Sequence, residues 1–289
     1  MKKCLLALGV LLIAGMGLCA QDSQTKWDVS LMGGLGFGPA DGGSSFARTW
    51  SFHYLDPIDE TTAITPAGKS GLALTADIAY YFSANIGVQV GAGLFTRRNT
   101  IGSDWTLDWN WTDTAEEFSD SGSNPSTRSR STTIPVFVNL VGRCRMGVFE
   151  VFGAAGPTVY FNSFKADALS IYADSNYNTF WWGWEQAFDA FQIPLRLDKS
   201  WVGFGFNAGA GLNIHVSRAA AFTVEAHYFG CPAKDLSWDW TPGTYNGQYG
   251  VWNNYSLSTA AAQEAMGQTT ALRIKPSVLA IMAGFRYGF

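Results

Sequence analysis

The stretch from Val202 to Val216 does most to limit what this chain can fold into. Val202, Phe204, Phe206, Ala208, Ala210, Leu212, Ile214 and Val216 fall on one face of an extended strand. Gly203, Gly205, Asn207, Gly209, Gly211, Asn213 and His215 fall on the other. Successive side chains of a strand point to opposite faces, so one face is apolar throughout and the other is small or polar throughout. A soluble sandwich or lipocalin would turn the apolar face inward, and a Gly-Asn-Gly face could not fill a core. The pattern suits a strand with one face in lipid and the other toward a polar or tightly packed interior.

The same period recurs along the chain. Trp27–Phe37, Leu72–Ser83, Ile86–Arg97, Thr132–Arg143, Phe222–Phe229 and the segment 279–289 all alternate in this way, and Val148–Tyr160 does so less cleanly. With Val202–Val216 that makes eight strands. The connections alternate too: Ala84–Asn85, Cys144–Gly147 and Ser217–Arg218 are short, whereas roughly 38–70, 98–131, 162–200 and 231–272 are long. Short turns on one rim and long loops on the other are the pattern of an outer-membrane barrel whose turns face the periplasm. The expected fold is therefore all-β: a transmembrane antiparallel up-and-down eight-stranded β-barrel with four long extracellular loops and short periplasmic turns.

The N-terminus carries an address. Lys2 and Lys3 precede an apolar run from Leu5 to Ile13, and small residues lead to Gln21. These are the three regions of a secretory signal peptide. We expect residues 1–20 to be that signal, cleaved between Ala20 and Gln21, and 21–289 to be the barrel. A lipoprotein cleaved before Cys19 is the rival, but Leu18 stands where a lipobox prefers a small residue. No later run of 18 or more apolar residues offers a spanning helix. Charged residues are only 15% of the chain and glycine numbers 32, against ~25% charge and ~7% glycine in ordinary soluble domains. A net charge of −4 argues against a nucleic-acid partner, which would need a basic face.

The segments YYFSANIGVQVGAG, FEVFGAAGPTVY, FGFNAGAGLNIHV and FTVEAHYFG resemble the small eight-stranded bacterial barrels of the OmpW, OmpX and OmpA-barrel class, OmpW-like above all. The last strand, LAIMAGFRYGF, is similar to the terminal assembly signal of such proteins, with Phe285, Tyr287 and Phe289 on one face. The resemblance implies the bacterial outer membrane, contact with its lipid, and folding by periplasmic chaperones and the barrel-assembly machinery. It covers the strands and little of the loops.

Side chains just fill the interior of an eight-stranded barrel. The inward polar candidates are Asp28, Asp77, Arg97, Asn139, Arg143, Glu150, Asn207, His215, Glu225, His227 and Arg286. Buried charges need partners, so a network is expected. Closing the barrel sets the first strand beside the last, which predicts that Asp28 pairs with Arg286. Catalysis would need a nucleophile or activated water with a base and an orienting group. Of the three histidines, His215 lies near the periplasmic rim, His227 shares its face with Glu225, and His53 sits in the first loop near Asp56, Asp59 and Glu60. No serine motif accompanies them. The reading is no enzyme, no cofactor and no metal site. Cys144 and Cys231 fall at opposite rims, ~30 Å apart across the hydrocarbon, so no disulfide is expected between them.

Ten of the twelve tryptophans lie in the long loops. Trp105, Trp109, Trp111, Trp181, Trp182, Trp184, Trp238 and Trp240 are the candidates for an aromatic collar or mouth, and the period of two suggests strands continuing above the membrane. The loops hold 18 acidic and nine basic residues, a balance of −9 (9 − 18), which should repel polyanions. Two functions remain open. One is a porin-like narrow channel that transports small hydrophobic molecules. The other is a surface-exposed adhesin whose plugged barrel displays loops to host surface proteins.

Overall fold

The structure, a computed structural model, describes residues 26–39, 44–52, 55–67, 70–110, 117–180, 183–240 and 270–289. The signal segment 1–20, with Cys4 and Cys19, lies outside the described residues, as do His53, Trp111, Trp181, Trp182 and Trp252. Described helices are absent, and none is long and apolar enough to cross a membrane.

In chain order the strands are β1 (Trp27–Phe37), β2 (Ser44–Phe52), β3 (Leu55–Ala67), β4 (Ser70–Tyr81), β5 (Ile86–Asn110), β6 (Glu117–Met146) and β7 (Phe149–Phe180). They continue with β8 (Gly183–His215), β9 (Ala220–Gly230), β10 (Lys234–Leu236), β11 (Asp239–Trp240), β12 (Leu272–Ile274) and β13 (Val278–Gly288). Eight of them form the wall. β1 pairs with β4, and the wall runs on through β5, β6, β7, β8 and β9 to β13. The first and last strands then meet in register, Asp28 opposite Gly288 and Phe37 opposite Leu279. Every wall pairing is antiparallel, and the ring has no free edge, so its backbone groups are satisfied within the sheet as hydrocarbon demands. The eight-stranded antiparallel barrel expected from the alternation is the fold.

The alternation turns into two faces of different chemistry. Leu31, Phe204 and Phe285 are each about two-thirds exposed on the outer wall, among many apolar neighbours. Ser30 and Arg286, next along the strand from Leu31 and Phe285, are buried inside, as is Asn213 between Leu212 and Ile214. An apolar outer band on a closed barrel places this protein in the bacterial outer membrane, with lipid against that band.

The chain turns tightly at one rim. β4 and β5 are joined by residues 82–85, β8 and β9 by 216–219, and β6 and β7 by Gly147 and Val148 alone. Gly147 has φ +66°, a left-handed conformation that a side chain would oppose. This corrects the sequence reading, which put that turn at Cys144–Gly147. Cys144 still pairs with Val151 inside the ladder. A two-residue turn at the glycine lengthens both strands by hydrogen bonds that the earlier position would forgo.

At the opposite rim the long connections are built of strand. β7 and β8 stay paired to Phe180 opposite Gly183, and β5 and β6 to Asn110 opposite Glu117. Spanning takes ~9–11 residues per strand, so these strands of 25 to 33 residues run well past the lipid. The β2–β3 hairpin joins the sheet through β3, from Ile58 opposite Trp109 to Ala67 opposite Thr100. β10 and β12 form a separate small sheet. Most of 98–131 and 162–200, the long connections of the sequence, is therefore paired hairpin.

Candidate functional site

Each wall strand brings one inward side chain to each level, so the interior is organised as layers along the barrel axis. The layer nearest the short turns is charged. Arg143 of β6 meets Asp28 of β1 at 3.2 Å and donates to the Ala84 carbonyl at 3.1 Å. Its guanidinium also lies over the Tyr81 ring, 3.5 Å from the centroid. Glu150 of β7 accepts from Asn213 at 2.7 Å, Thr223 donates to Asn213 at 2.7 Å, and His215 stands 3.6 Å from Glu150.

The expected pairing of Asp28 with Arg286 is not made. The two are diagonal in the wall, Asp28 opposite Gly288 and Arg286 opposite Ser30. Adjacent strands are not the only neighbours in so narrow a barrel. Arg143 reaches Asp28 from another part of the wall, and Arg286 instead lies over the Phe152 ring, 4.4 Å from its centroid.

The middle layer is a chain of amides ending in a histidine and a carboxylate. Asn207 donates to the Gly156 carbonyl at 3.2 Å, to Asn139 at 2.7 Å and to Thr158 at 2.8 Å. Asn139 in turn donates to Gln89 at 3.0 Å. A backbone carbonyl only accepts, so Gly156 fixes which end of the Asn207 amide carries nitrogen. The Asn207 oxygen must then face His227 Nε2, 2.6 Å away, and that nitrogen must carry a proton. His227 Nδ1 lies 2.5 Å from Glu225 Oε1. Because Nε2 already donates, the Nδ1–Oε1 contact holds one further proton between imidazole and carboxyl. On the far side of the layer, Ser30 donates to Asp77.

Above the amides lies a layer of aromatic rings and thioethers. Phe95, Phe137, Tyr160 and Phe229 pack with Met32, Met282, Val278 and Ala280, all nearly without exposure. Phe229 is 4.8 Å from Phe95 and 5.9 Å from Phe137, and His227 stacks on Phe229 at 4.2 Å with 12° between planes. This ring pile sits on the inward face that the sequence marked as small and polar. Glycines make room for it. Phe137 stands directly opposite Gly91 and Tyr160 opposite Gly203, and in the charged layer Phe152 stands opposite Gly211. A Cβ on Gly91 or on Gly211 would come within 2.5 Å of the facing phenylalanine ring.

Beyond the rings, Arg97 reaches the carbonyls of Pro39 and Lys275, both at 3.4 Å. Thr133 donates to Asn162 at 2.9 Å, and Asn162 lies 3.8 Å from the Cys231 sulfur. Cys231 is a free, buried thiol, so it forms no bridge with Cys144. Leu236, Leu272 and Ile274 of the small sheet are buried there with Trp238.

Of the sequence-predicted interior set, Asp28, Asp77, Arg97, Asn139, Arg143, Glu150, Asn207, Glu225, His227 and Arg286 are all buried, and His215 is partly so at the short-turn rim. They fall in three groups rather than one. Among the tryptophans, Trp105 and Trp109 lie on β5, Trp184 on β8 and Trp240 on β11, while Trp238 is 7% exposed. Phe285, Tyr287 and Phe289 are exposed on the outer wall. Sequence reasoning missed Tyr81 and the ring layer. Part of the signal was present in register: Phe137 and Tyr160 each face an inward glycine on the next strand, whereas Phe95 and Phe229 do not.

No protein-family model matches the sequence, and no curated protein matches it. Among solved structures, the chain is similar to the outer membrane protease OmpT of Escherichia coli, at 10% identity and a TM-score of 0.43, over 91% of this chain and 97% of that one. It is also similar to Ail, the attachment invasion locus protein of Yersinia pestis, crystallised with the heparin analogue sucrose octasulfate, at 10% identity and a TM-score of 0.33, over 91% and 99%. A third is the beta domain of the Bordetella autotransporter BrkA, at 8% identity and a TM-score of 0.21, over 93% and 100%. One of these neighbours is a protease, and that finding overturns the expectation that this chain is not an enzyme. At such identity the likeness assigns no activity to it either. The closed wall, apolar outside and polar within, settles the coarser point: this chain is an outer-membrane β-barrel protein.

Proposed function

We propose that this protein is a surface-display protein, in which a plugged barrel anchors long β-hairpins that bind a partner protein outside the cell. One observation carries the reading: the layer of Phe95, Phe137, Tyr160 and Phe229 lies across the interior, with hydrogen-bonded amides directly beneath it. A conduit needs a continuous lumen, and this interior is packed like a core. The strands that continue past the lipid, β5 to β8, supply the display. The surplus of acids in the long connections favours a partner with a basic face and disfavours polyanions. On this reading the short turns face the periplasm. Residues 1–20 direct export, and the strand ending in Phe289 is read by the barrel-assembly machinery after delivery by periplasmic chaperones.

The second reading is the narrow channel for small hydrophobic molecules, which the OmpW-like look of the strands favours. Planar-bilayer recording of the refolded protein separates the two. The display reading expects no discrete steps from a folded barrel, and it expects loss of binding to a basic protein surface when the β7–β8 hairpin is shortened above Ala166. Steps that an apolar solute blocks would overturn it in favour of the channel.

A further inference from the structure

We propose that Arg98, Arg128 and Arg130 form a patch on the outer wall that binds the phosphate of a lipid headgroup, in the leaflet from which the long hairpins emerge. The patch is built by register. Ile134, Phe161 and Val202 lie side by side on β6, β7 and β8, and with Leu94 of β5 they end the apolar band at this rim. Two residues further on, Thr96, Thr132, Ser163 and Ser200 form a row of hydroxyls. Two more bring the row Arg98, Arg130, Lys165 and Asp198. At ~3.4 Å per residue and a strand tilt of ~40°, the charged row stands ~10 Å above the last apolar one. Long guanidinium stems reach back from there into the polar headgroup layer. Arg98, Arg128, Arg130 and Lys165 are exposed, whereas Arg97, Ser129, Ser131 and Phe164 beside them are buried, so the four cations face outward.

The wall does not match these charges itself. Arg98 lies directly opposite Arg130, and Arg130 opposite Lys165, so three like charges stand side by side. Residues so placed are ~4.5–5.5 Å apart at Cβ, where like charges destabilise a sheet. The acids lie toward β8. Asp198 takes Lys165 at 3.0 Å and stands 3.9 Å from Arg196, and Asp167 lies opposite Arg196 in the next row. Among the described residues no ion pair reaches Arg98, Arg128 or Arg130. The long connections carry 18 acids against nine bases, so the patch reverses the sign of its surroundings at one level only. A phosphate supplies the missing anion, and the planar guanidinium fork takes its oxygens in pairs. The apolar band directly beneath favours a lipid over a free anion, because it packs against the acyl chains. Such binding is independent of whether the barrel conducts or displays.

The test places the refolded full-length protein in phosphatidylcholine nanodiscs with diphosphoryl lipid A added in rising proportion. Backbone amide NMR and native mass spectrometry of the retained lipid are the readouts. The expected result is saturable retention of lipid A, with shifts centred on Arg98, Arg128 and Arg130. R98Q combined with R130Q changes exposed positions only, so the fold should hold, and retention should fall about tenfold with the loss of two charge-assisted contacts. R98K combined with R130K should fall between, because lysine keeps the charge and loses the fork. R218Q, which removes an exposed cation at the short-turn rim, should leave retention unchanged. Inorganic phosphate added to nanodiscs of phosphatidylcholine alone should give no saturable shift. Retention of lipid A no better than that of phosphatidylcholine overturns the proposal, and so does undiminished retention by the folded double glutamine variant. An equal loss in R218Q, or the same saturable shifts with inorganic phosphate alone, overturns it as well.

Discussion

The two ends of the barrel interior are closed by different physics. Toward the long hairpins, Phe95, Phe137, Tyr160 and Phe229 fill space by contact. Toward the short turns, Arg143, Asp28, Glu150, His215 and Arg286 fill it with charge. In a ring layer the energy follows volume, so damage scales with the hole left behind. In a charged layer it follows pairing, so damage depends on what is left unmatched. The amides and His227 lie between, tied to one side by hydrogen bonds and to the other by the stack on Phe229.

Two single substitutions should cost about the same and yet reveal that difference. Phe137→Ala should destabilise the barrel by ~3–5 kcal/mol through a cavity. Asp28→Ala should cost a similar ~3–5 kcal/mol, because it strands the buried Arg143 charge. The partners respond differently. Asp28→Leu combined with Arg143→Met should regain most of the loss, since removing both charges of a buried pair is often neutral. Changing a neighbour of Phe137 should regain stability only if it refills the volume. Urea unfolding of the membrane-inserted protein, followed by tryptophan fluorescence, reads both. A double variant as unstable as Asp28→Ala alone would show that the charged end is also held by shape.

A smaller effect probes the ring layer from its other partner. The Cβ of Gly91→Ala would meet the Phe137 ring at 2.5 Å and the Asp77 Cβ at 2.7 Å. Overpacking of this kind costs ~1–3 kcal/mol. Phe137→Leu in the same chain should relieve it, although alone it should be harmful. Gly102→Ala has nothing within 4 Å of its new methyl and serves as the neutral control on the same strand. If Gly91→Ala and Gly102→Ala shift the unfolding midpoint equally, the glycine-for-ring exchange is not what fixes this layer.

The fold was legible because lipid imposes one rule on every strand: an apolar residue at every second position. Val202–Val216 obeys it over its whole length, and so the wall could be counted. Val148–Tyr160 read poorly for a physical reason. Its inward positions include Phe152 and Tyr160, so both faces of that strand look apolar. The inward polar residues were recoverable by parity, but their partners were not. Parity fixes a side chain's face, whereas Arg143 reaches Asp28 across the interior from a strand that is not its neighbour. Half of the ring layer could have been inferred from register, since Phe137 and Tyr160 each face a glycine. Alternation alone, however, does not fix the register of β5 on β6 or of β7 on β8, which those pairs depend on.

The smallest expected change tests the junction of the two regimes. In Glu225→Gln, the new amide can donate to His227 Nδ1 and keep the contact, while the carboxyl charge and the extra proton both disappear. His227 then stays neutral, still donating from Nε2 to Asn207. The stability change should be about 1 kcal/mol or less, the net worth of one hydrogen bond exchanged for another. The spectroscopic change should be large. In the wild type, imidazole 15N NMR should find a proton on Nε2 of His227 and a proton shared at Nδ1, whereas in Glu225→Gln the Nδ1 should be bare. The Nε2 proton follows from the Gly156 carbonyl, which orients Asn207. A wild-type His227 with bare Nε2 would mean that this carbonyl does not order the amides, and the middle layer would then belong with the charged end rather than joining it to the rings.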